Sequence, residues 1–186
     1  YYAALFQQSP QPEGGAMFRR STFQYFKEVD DERGHDYVLS IHRDGAIIER
    51  RVPTHECWGF LTVDPAFTAK ETSDFFAAEH WVVTPPIDGV RYRLLADVLR
   101  MHLEVPDQLP RLEIVARQKM ARFVGIEESV GALAVIQQAE RDAKFTVHRC
   151  KADKDKQARA APLAGRYEAG HIFHRAAAPW LEDYER

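Results

Sequence analysis

The chain has 186 residues, of which 45% are hydrophobic and 28% are charged. This composition is typical of a globular protein and excludes the fibrous and intrinsically disordered classes. The formal net charge of −3 argues against a protein that binds polyanions over its whole surface. The charge is uneven, however, because residues 141–175 contain nine Lys and Arg but only four Asp and Glu. Any contact with a polyanion is therefore expected in this part of the chain and beyond it.

The cysteines and the apolar segments restrict the cellular setting. Cys57 and Cys150 lie in apolar or strand-like surroundings, which predicts buried free thiols in a reducing compartment instead of a disulfide. No apolar run approaches the roughly 18 residues that span a bilayer, so no membrane partner is expected.

The beginning of the chain is predicted to be a linker. The chain starts at Tyr1 without a Met, which indicates a piece of a longer protein. Residues 9–15 contain two Pro and two Gly, a density that only a loop accommodates. Aromatic residues between positions 18 and 26 are expected to dock this linker, residues 1–30, on a neighbouring domain.

The remaining chain is predicted to form an ordered series of strands and helices. Asp44-Gly45 separates two β-prone runs, which predicts a tight hairpin turn because Gly accepts a positive φ. Three strands with short connections follow and predict an antiparallel meander. The predicted strands are 37–42, 46–52, 57–64, 74–84, 90–99, 122–127, 145–150 and 171–174, and the predicted helices are 106–119, 131–143, 153–164 and one that begins near Pro179.

This order predicts an α/β protein with a ribonuclease H-like mixed sheet: three antiparallel strands, then parallel strands with crossover helices, and helices flanking the sheet. A helical crossover returns the chain in the same direction, so strands 57–64 and 122–127 are expected to be parallel neighbours. These strands end on Asp64 and Glu127. Ligands bind at the carboxyl ends of strands in open α/β sheets, so the two carboxylates are expected to face each other across a site.

Two neighbouring carboxylates predict a divalent metal site. Without a cation between them they would repel each other and raise the pKa of one. Oxygen ligands favour Mg²⁺ or Mn²⁺ over Zn²⁺. Two such ions about 3.5–4 Å apart activate a water and stabilise the leaving oxygen in phosphodiester hydrolysis. The sequence thus predicts a metal-dependent nuclease with Asp64 and Glu127 as catalytic residues and metal ligands.

Alternatives to these assignments stay open. Asp64 precedes a Pro and has the sequence context of a turn former, and Glu127 has that of a solvated strand end. Glu128 is an alternative ligand, because strand alternation places it and Glu127 on opposite faces. Asp74 is either a weaker third carboxylate near the metal ions or a residue that caps the turn into the next strand.

Basic residues at the start of a predicted helix are candidates for DNA binding. Lys154, Lys156 and Arg159 are placed to contact the DNA backbone, since cations bind phosphates without sequence information. The alternative is a solvated helix face that begins with an acidic N-cap. His171 and His174 alternate on the last predicted strand and resemble a pair of metal ligands, but ordinary strand positions are favoured.

Four groups of residues, in order, resemble motifs of the large terminase subunits of tailed bacteriophages. Each motif is weak alone, and their shared order makes the resemblance specific. Residues 4–18 resemble the stretch that leaves the ATPase domain, residues 62–66 with 73–75 resemble the first nuclease motif, residues 126–127 resemble the second, and residues 153–160 with 167–172 are similar to a later "DK…RA…GxV" segment.

The resemblance implies the C-terminal nuclease domain of a genome-packaging motor, which cuts concatemeric DNA when packaging starts and ends. It implies that residues 1–30 follow an ATPase domain outside this chain, that residues 31–186 form the nuclease domain, and that a third metal ligand lies beyond Arg186. No Walker-type phosphate loop occurs here, so ATP hydrolysis is assigned to the missing domain.

The resemblance also implies partners and a location. The implied partners are double-stranded DNA, the terminase small subunit, the portal ring and the ATPase domain of the same protein. The implied location is the cytoplasm of an infected bacterial host, at the procapsid portal. Two other functions remain: a DNA-binding or docking module of the motor with an incomplete metal site, and another ribonuclease H-like nuclease such as a junction resolvase.

Overall fold

The structure, a computed structural model, describes residues 17–43, 45–66, 75–128, 132–151 and 156–186, and for residues 156 and 157 it describes the backbone alone. Nine strands and four α-helices lie within these ranges. The strands are β1 (Gln24–Asp31), β2 (Gly34–Arg43), β3 (Ala46–Pro53), β4 (Trp58–Asp64), β5 (Phe76–Val83), β6 (Arg93–Met101), β7 (Ala121–Glu128), β8 (Val147–Lys151) and β9 (Ile172–Arg175). The helices are α1 (Val105–Gln118), α2 (Ala132–Asp142), α3 (Lys156–Glu168) and α4 (Leu181–Tyr184).

Two compact units are built from these elements. The described residues of the first unit lie within 59–81 and 98–156. The described residues of the second unit lie within the chain up to residue 58, within 82–97 and within 157–186. Strands β5 and β6 contribute residues to both units, so neither unit is one continuous piece of the chain.

In the first unit the strands are neighbours in the order β6-β5-β4-β7-β8. Strand β7 is parallel to β4 and to β8, with Val63 beside Ile126 in the first pair. Helix α1 precedes β7 and α2 connects β7 to β8, since a parallel neighbour needs a connection that returns the chain to its starting edge. The predicted parallel pairing of strands 57–64 and 122–127 is confirmed as the pairing of β4 with β7.

One face of the sheet in the first unit is apolar and is covered by α1 and α2. Leu61 and Val63 of β4 belong to one core cluster with Leu112 of α1 and Ile136 of α2. All four side chains are almost fully buried. Side chains alternate between the two faces of a strand. The side chains of β4 that alternate with these core residues therefore point to the opposite face, and Asp64, which follows Val63, is one of them.

In the second unit the strands are neighbours in the order β3-β2-β1-β9-β6. Strands β1, β2 and β3 are antiparallel, whereas β9 is parallel to β1 and to β6. Strands β2 and β3 form the predicted hairpin, with Gly45 at a φ of +78°, and Asp44 lies outside the described residues. Phe26, Leu39 and Phe173 are fully buried in the core of this unit.

A buried chain of hydrogen bonds surrounds His174 of β9. Its Nε2 atom lies 2.7 Å from the hydroxyl oxygen of Tyr167, and its Nδ1 atom lies 2.6 Å from Glu185 Oε1. The hydroxyl of Tyr25 donates to the other oxygen of Glu185 at 3.2 Å. These bonds join β1, α3, β9 and the last residues of the chain. His174 is thus a packed strand residue, the interpretation that the sequence favoured over a metal ligand.

Several predicted boundaries differ from the structure. The linker was predicted to extend to residue 30, but β1 begins at Gln24 because Phe26 enters the core. Residues 24–30 therefore belong to the sheet. The strand predicted at residues 90–99 instead spans Arg93–Met101, since Ile87 and Val90 are bridged across a turn before it.

The cysteines are free thiols, as predicted, and each is partly buried. Burial, followed by the charge of Glu56, raises the pKa of Cys57 to about 11. Burial also raises the pKa of Cys150 above its ordinary value. Both shifts disfavour the thiolate, so neither cysteine is activated as a nucleophile. Among the described residues, no helix has the length and apolar character that crossing a membrane requires.

Candidate functional site

The two predicted carboxylates lie at the ends of neighbouring parallel strands. Asp64 is the last residue of β4, and Glu127 is near the end of β7. The register that places Val63 beside Ile126 also places the next residues, Asp64 and Glu127, beside each other. Neighbouring strands are about 4.8 Å apart, so the two side chains leave the sheet close together and on the same face. Both residues are partly buried.

Glu128 has a different environment from Glu127. Its Oε1 atom lies 3.5 Å from a guanidinium nitrogen of Arg149, and the Nε of Arg149 donates to Glu140 of α2 at 2.6 Å. These contacts lie on the face of the sheet that the helices cover. The hydrogen bond from Arg149 lowers the pKa of Glu140 below its ordinary value. Glu128 therefore belongs to an ion-pair cluster, and of these two glutamates Glu127 is the one that shares a face with Asp64.

A third acid, Glu79 of β5, lies in the same region and has no motif in the sequence. Its side chain is fully buried, and its Oε2 atom accepts hydrogen bonds from the hydroxyl of Thr62 at 2.9 Å and from the indole N–H of Trp81 at 3.0 Å. Thr62 precedes Asp64 by two residues and shares its face of β4. The other oxygen, Oε1, has no hydrogen-bond partner in the described part of the chain.

Burial has the largest effect on the pKa of Glu79. Desolvation raises its pKa to about 7, against the hydrogen bonds from Trp81 and Thr62, which lower it. The negative charge of Asp64 raises it further. A carboxyl group within the apolar run of β5 carries no spacing signal. Its only sequence signal is an acid placed among residues that are otherwise apolar or aromatic.

Below the carboxylates, the same face carries a row of stacked rings. The rings of Phe60 and Phe123 are 5.0 Å apart at an interplanar angle of 14°, and the rings of Phe123 and His148 are 4.5 Å apart at 17°. Gly125 lies between this row and Glu127, and a Cβ atom there would approach the sulfur of Cys150 to 3.2 Å. Strands β4, β7 and β8 are therefore closely packed beneath the site.

Comparison with known proteins places the chain in a family. Residues 61–185, about two thirds of the chain, match the family model of the terminase RNaseH-like domain. The chain belongs to this family. The resemblance inferred from the motifs of the sequence is thereby confirmed. A comparison with curated proteins returned no match.

A solved structure shares the fold of this terminase domain. It is similar to the large terminase nuclease from thermophilic phage G20c with bound magnesium, with a TM-score of 0.51 and 14% identity, covering 88% of this chain and 76% of that chain. The same phage nuclease with bound zinc gives a TM-score of 0.49 and 13% identity, covering 89% of this chain and 84% of that chain. T. thermophilus RuvC in complex with a Holliday junction substrate gives a TM-score of 0.33 and 18% identity, covering 60% of this chain and 79% of that chain. The family model and the first of these structures confirm the predicted ribonuclease H-like α/β fold.

The remaining predicted site residues of the terminase domain are described only in part. Asp74 and Lys154 lie outside the described residues. The backbone of Lys156 begins α3, and Arg159 is a partly buried residue of the same helix. No cluster of three or more His, Cys, Asp or Glu side chains suited to a metal ion occurs in the described ranges. Within the described ranges, the pairing of β4 with β7 brings together two of the predicted ligands, Asp64 and Glu127.

Proposed function

We propose that this domain is the metal-dependent DNA endonuclease of a viral genome-packaging terminase and that it cuts concatemeric DNA. The observation that supports this most directly is the pair Asp64 and Glu127, side by side at the carboxyl ends of β4 and β7 in a chain of the terminase family. The fold likeness to a terminase nuclease with bound magnesium agrees with it.

The two carboxylates suit a hard divalent cation, Mg²⁺ or Mn²⁺. Each offers oxygen donors, which such cations prefer, and both are close enough in the sheet to contribute to one site. Two ionised carboxylates at this spacing repel each other, so a cation between them relieves an unfavourable interaction. Asp64 and Glu127 would hold the metal, and Asp74 is proposed as a weaker third carboxylate.

The chain's own residues fix the position of these ligands. Pairing of β4 with β7 fixes the two backbones, and the hydrogen bond from Thr62 to Glu79 ties β4 to β5 just before Asp64. When bound, two divalent ions supply an activated water and stabilise the leaving oxygen of a phosphodiester. The protein contributes carboxylates held in advance, so little reorganisation is needed when DNA binds.

Contacts with DNA and with the packaging machinery complete the proposal. Lys154, Lys156 and Arg159 are proposed to bind the DNA backbone, on the basis of the positive charge of this part of the chain. Membership of the terminase family supports double-stranded DNA as substrate, and the small subunit, the portal ring and an ATPase domain of the same protein as partners. The proposed location is the portal in an infected bacterial cytoplasm.

The replacement Asp64→Asn tests the endonuclease. In the protein that contains this domain, we expect it to reduce plasmid nicking in Mn²⁺ by about a hundredfold or more, since loss of a ligand removes several kcal/mol of charge stabilisation. Asp107→Asn, which makes the same change of charge in the first turn of α1, should nick like the wild type.

The competing function is a DNA-binding or docking module of the motor with an incomplete metal site. It is favoured by one observation, that the described ranges assemble two carboxylates and not three. A wild type that binds DNA without nicking it would support the module and reject the endonuclease. Nicking that survives Asp64→Asn would instead reject Asp64 as a metal ligand of the endonuclease.

A further inference from the structure

An exposed cluster of a cation, an aromatic ring and an imidazole lies in the first unit. We define the Arg100 cluster as Arg100 and His102, which flank Met101 at the end of β6, together with Phe75, which precedes β5. The guanidinium carbon of Arg100 lies 3.8 Å from the ring centroid of Phe75. The ring of His102 lies 4.1 Å from the same centroid. Arg100 and His102 are exposed, and Phe75 is partly buried.

Strand directions place this cluster at the same edge as Asp64. Thr62 of β4 bonds to Glu79 of β5, and a Cβ atom at Gly59 would lie 3.3 Å from the carbonyl oxygen of Trp81. Strands β4 and β5 are therefore antiparallel, so the beginning of β5 lies beside Asp64 at the end of β4.

The same reasoning extends to β6. The N–H of Thr84 donates to the carbonyl oxygen of Tyr92 at 3.1 Å, which closes a hairpin between β5 and β6. The end of β6 therefore returns to the beginning of β5. In the order β6-β5-β4, Arg100 lies two strands from Asp64. Two strand spacings are about 10 Å, and one DNA strand carries a charge every 3.4 Å or so along the helix axis. This separation is short enough for one DNA strand to contact both positions.

The contacts of Arg100 leave its charge available. In the described part of the chain it has no carboxylate within ion-pair distance, unlike Arg149, which contacts Glu128 and Glu140. Stacking on Phe75 uses the flat face of the guanidinium, whereas its N–H donors lie around the rim. A stacked arginine also has less side-chain freedom to lose when its donors bind an anion.

We propose that the Arg100 cluster binds a phosphate of the DNA strand that the carboxylates cut, close to the scissile bond. This inference rests on the proposed endonuclease function. Arg100 supplies the charge and the N–H donors, and Phe75 holds its plane. His102 packs on the same ring and narrows the range of positions that the guanidinium can take. The contact carries no sequence information, because it is made to the backbone.

The salt dependence of DNA binding tests this contact. The probe is a fluorescein-labelled 30-base-pair duplex, and its affinity for the 186-residue chain is measured by anisotropy in EDTA at several KCl concentrations. For Arg100→Gln we expect weaker binding and a slope of log K against log [KCl] that is less negative by about 0.9, the value for one lost phosphate contact. Arg100→Lys should retain the slope, because it keeps the charge.

A matched variant and a separate assay decide the outcome. Arg50→Gln, at an exposed arginine of β3 whose NH1 donates to the backbone oxygen of Glu49, should leave the slope unchanged. An unchanged slope for Arg100→Gln, or equal changes for both variants, would overturn the proposal. Equal thermal midpoints will show that both variants are folded. Plasmid nicking by the wild type in Mn²⁺ reports on the endonuclease independently. If the wild type nicks and Arg100→Gln leaves the slope unchanged, the phosphate contact alone is rejected. If Arg100→Gln makes the slope less negative but the wild type does not nick, the endonuclease is rejected.

Discussion

Adjacent glutamates at the end of β7 allow a sharp test at the scale of single residues. Glu127 shares a face with Asp64, whereas Glu128 is paired with Arg149 on the face that the helices cover. We expect Glu127→Gln to reduce Mn²⁺-dependent nicking by about a hundredfold or more, as for a lost metal ligand. Glu128→Gln should nick at a rate close to that of the wild type. The measurement is the initial rate of plasmid relaxation at saturating Mn²⁺.

The control for this pair is stability. Glu128→Gln removes an interaction with a partly exposed arginine, so it should cost less than about 1 kcal/mol in the free energy of unfolding. If Glu128→Gln abolished nicking at wild-type stability and Glu127→Gln did not, the assignment of the ligand would be reversed.

Glu79 gives a prediction for the pH dependence of stability. Its pKa is raised to about 7 in the folded state, mainly by burial, from an ordinary value of 4.5. Between these two values the folded state retains a proton that the unfolded state has lost. Glu79 therefore makes the protein less stable as the pH rises through this window. At about 1.36 kcal/mol per pKa unit, the total effect is about 3 kcal/mol.

Comparison of the wild type with Glu79→Gln isolates this effect. Glutamine keeps an oxygen acceptor for Thr62 and Trp81 but does not titrate in this range. In urea unfolding without divalent cations, the wild type should lose about 3 kcal/mol relative to the variant between pH 4.5 and 7, with little further change above pH 7. A difference that stays constant from pH 4.5 to 8 would show that Glu79 has an ordinary pKa in the folded protein.

At the scale of elements, two glycines near the end of α3 have opposite roles. Gly165 lies inside the helix, and a Cβ atom there would meet nothing within 4 Å. Gly170 follows the helix with a φ of +66°, and a Cβ atom there would meet the side chain of Gln24 at 2.1 Å. The sequence predicted that the helix ends at residue 164, before the first of these glycines. The helix continues because an exposed helical glycine costs only about 1 kcal/mol, which packing of Leu163 and Tyr167 offsets.

This difference predicts that replacing each glycine with alanine changes the free energy of unfolding in opposite directions. Gly165→Ala should stabilise the protein by up to about 1 kcal/mol, since it improves helix propensity in open space. Gly170→Ala should destabilise it by about 1–2 kcal/mol, because a left-handed backbone conformation is unfavourable for alanine and Gln24 must move. Urea midpoints at constant m-value measure both effects. A destabilising Gly165→Ala would mean that the helix does not pass through this residue.

At the scale of the whole molecule, the chain order carried most of the information about the fold. Parallel pairing of β4 with β7 followed from the helical crossover before β7, and the two acids followed because each ends a β-prone run. Glu79 could not be predicted, since a buried acid within an apolar strand has no spacing pattern. The two units could not be predicted either, because each is assembled from separated segments of the chain.

Binding of a cation should link the site to the stability of the whole chain. Asp64 and Glu127 come together only in the folded sheet, so a metal that they hold binds the folded state and not the unfolded one. At a hundredfold excess of Mn²⁺ over its Kd, this linkage stabilises the folded state by about 2.7 kcal/mol. In EDTA, Asp64→Asn should be at least as stable as the wild type, because it removes one of two neighbouring like charges. Adding Mn²⁺ should raise the thermal midpoint of the wild type and leave that of Asp64→Asn unchanged, so the order of stability reverses. Equal rises in both proteins would place the bound cation elsewhere and separate the carboxylate pair from any metal-dependent activity.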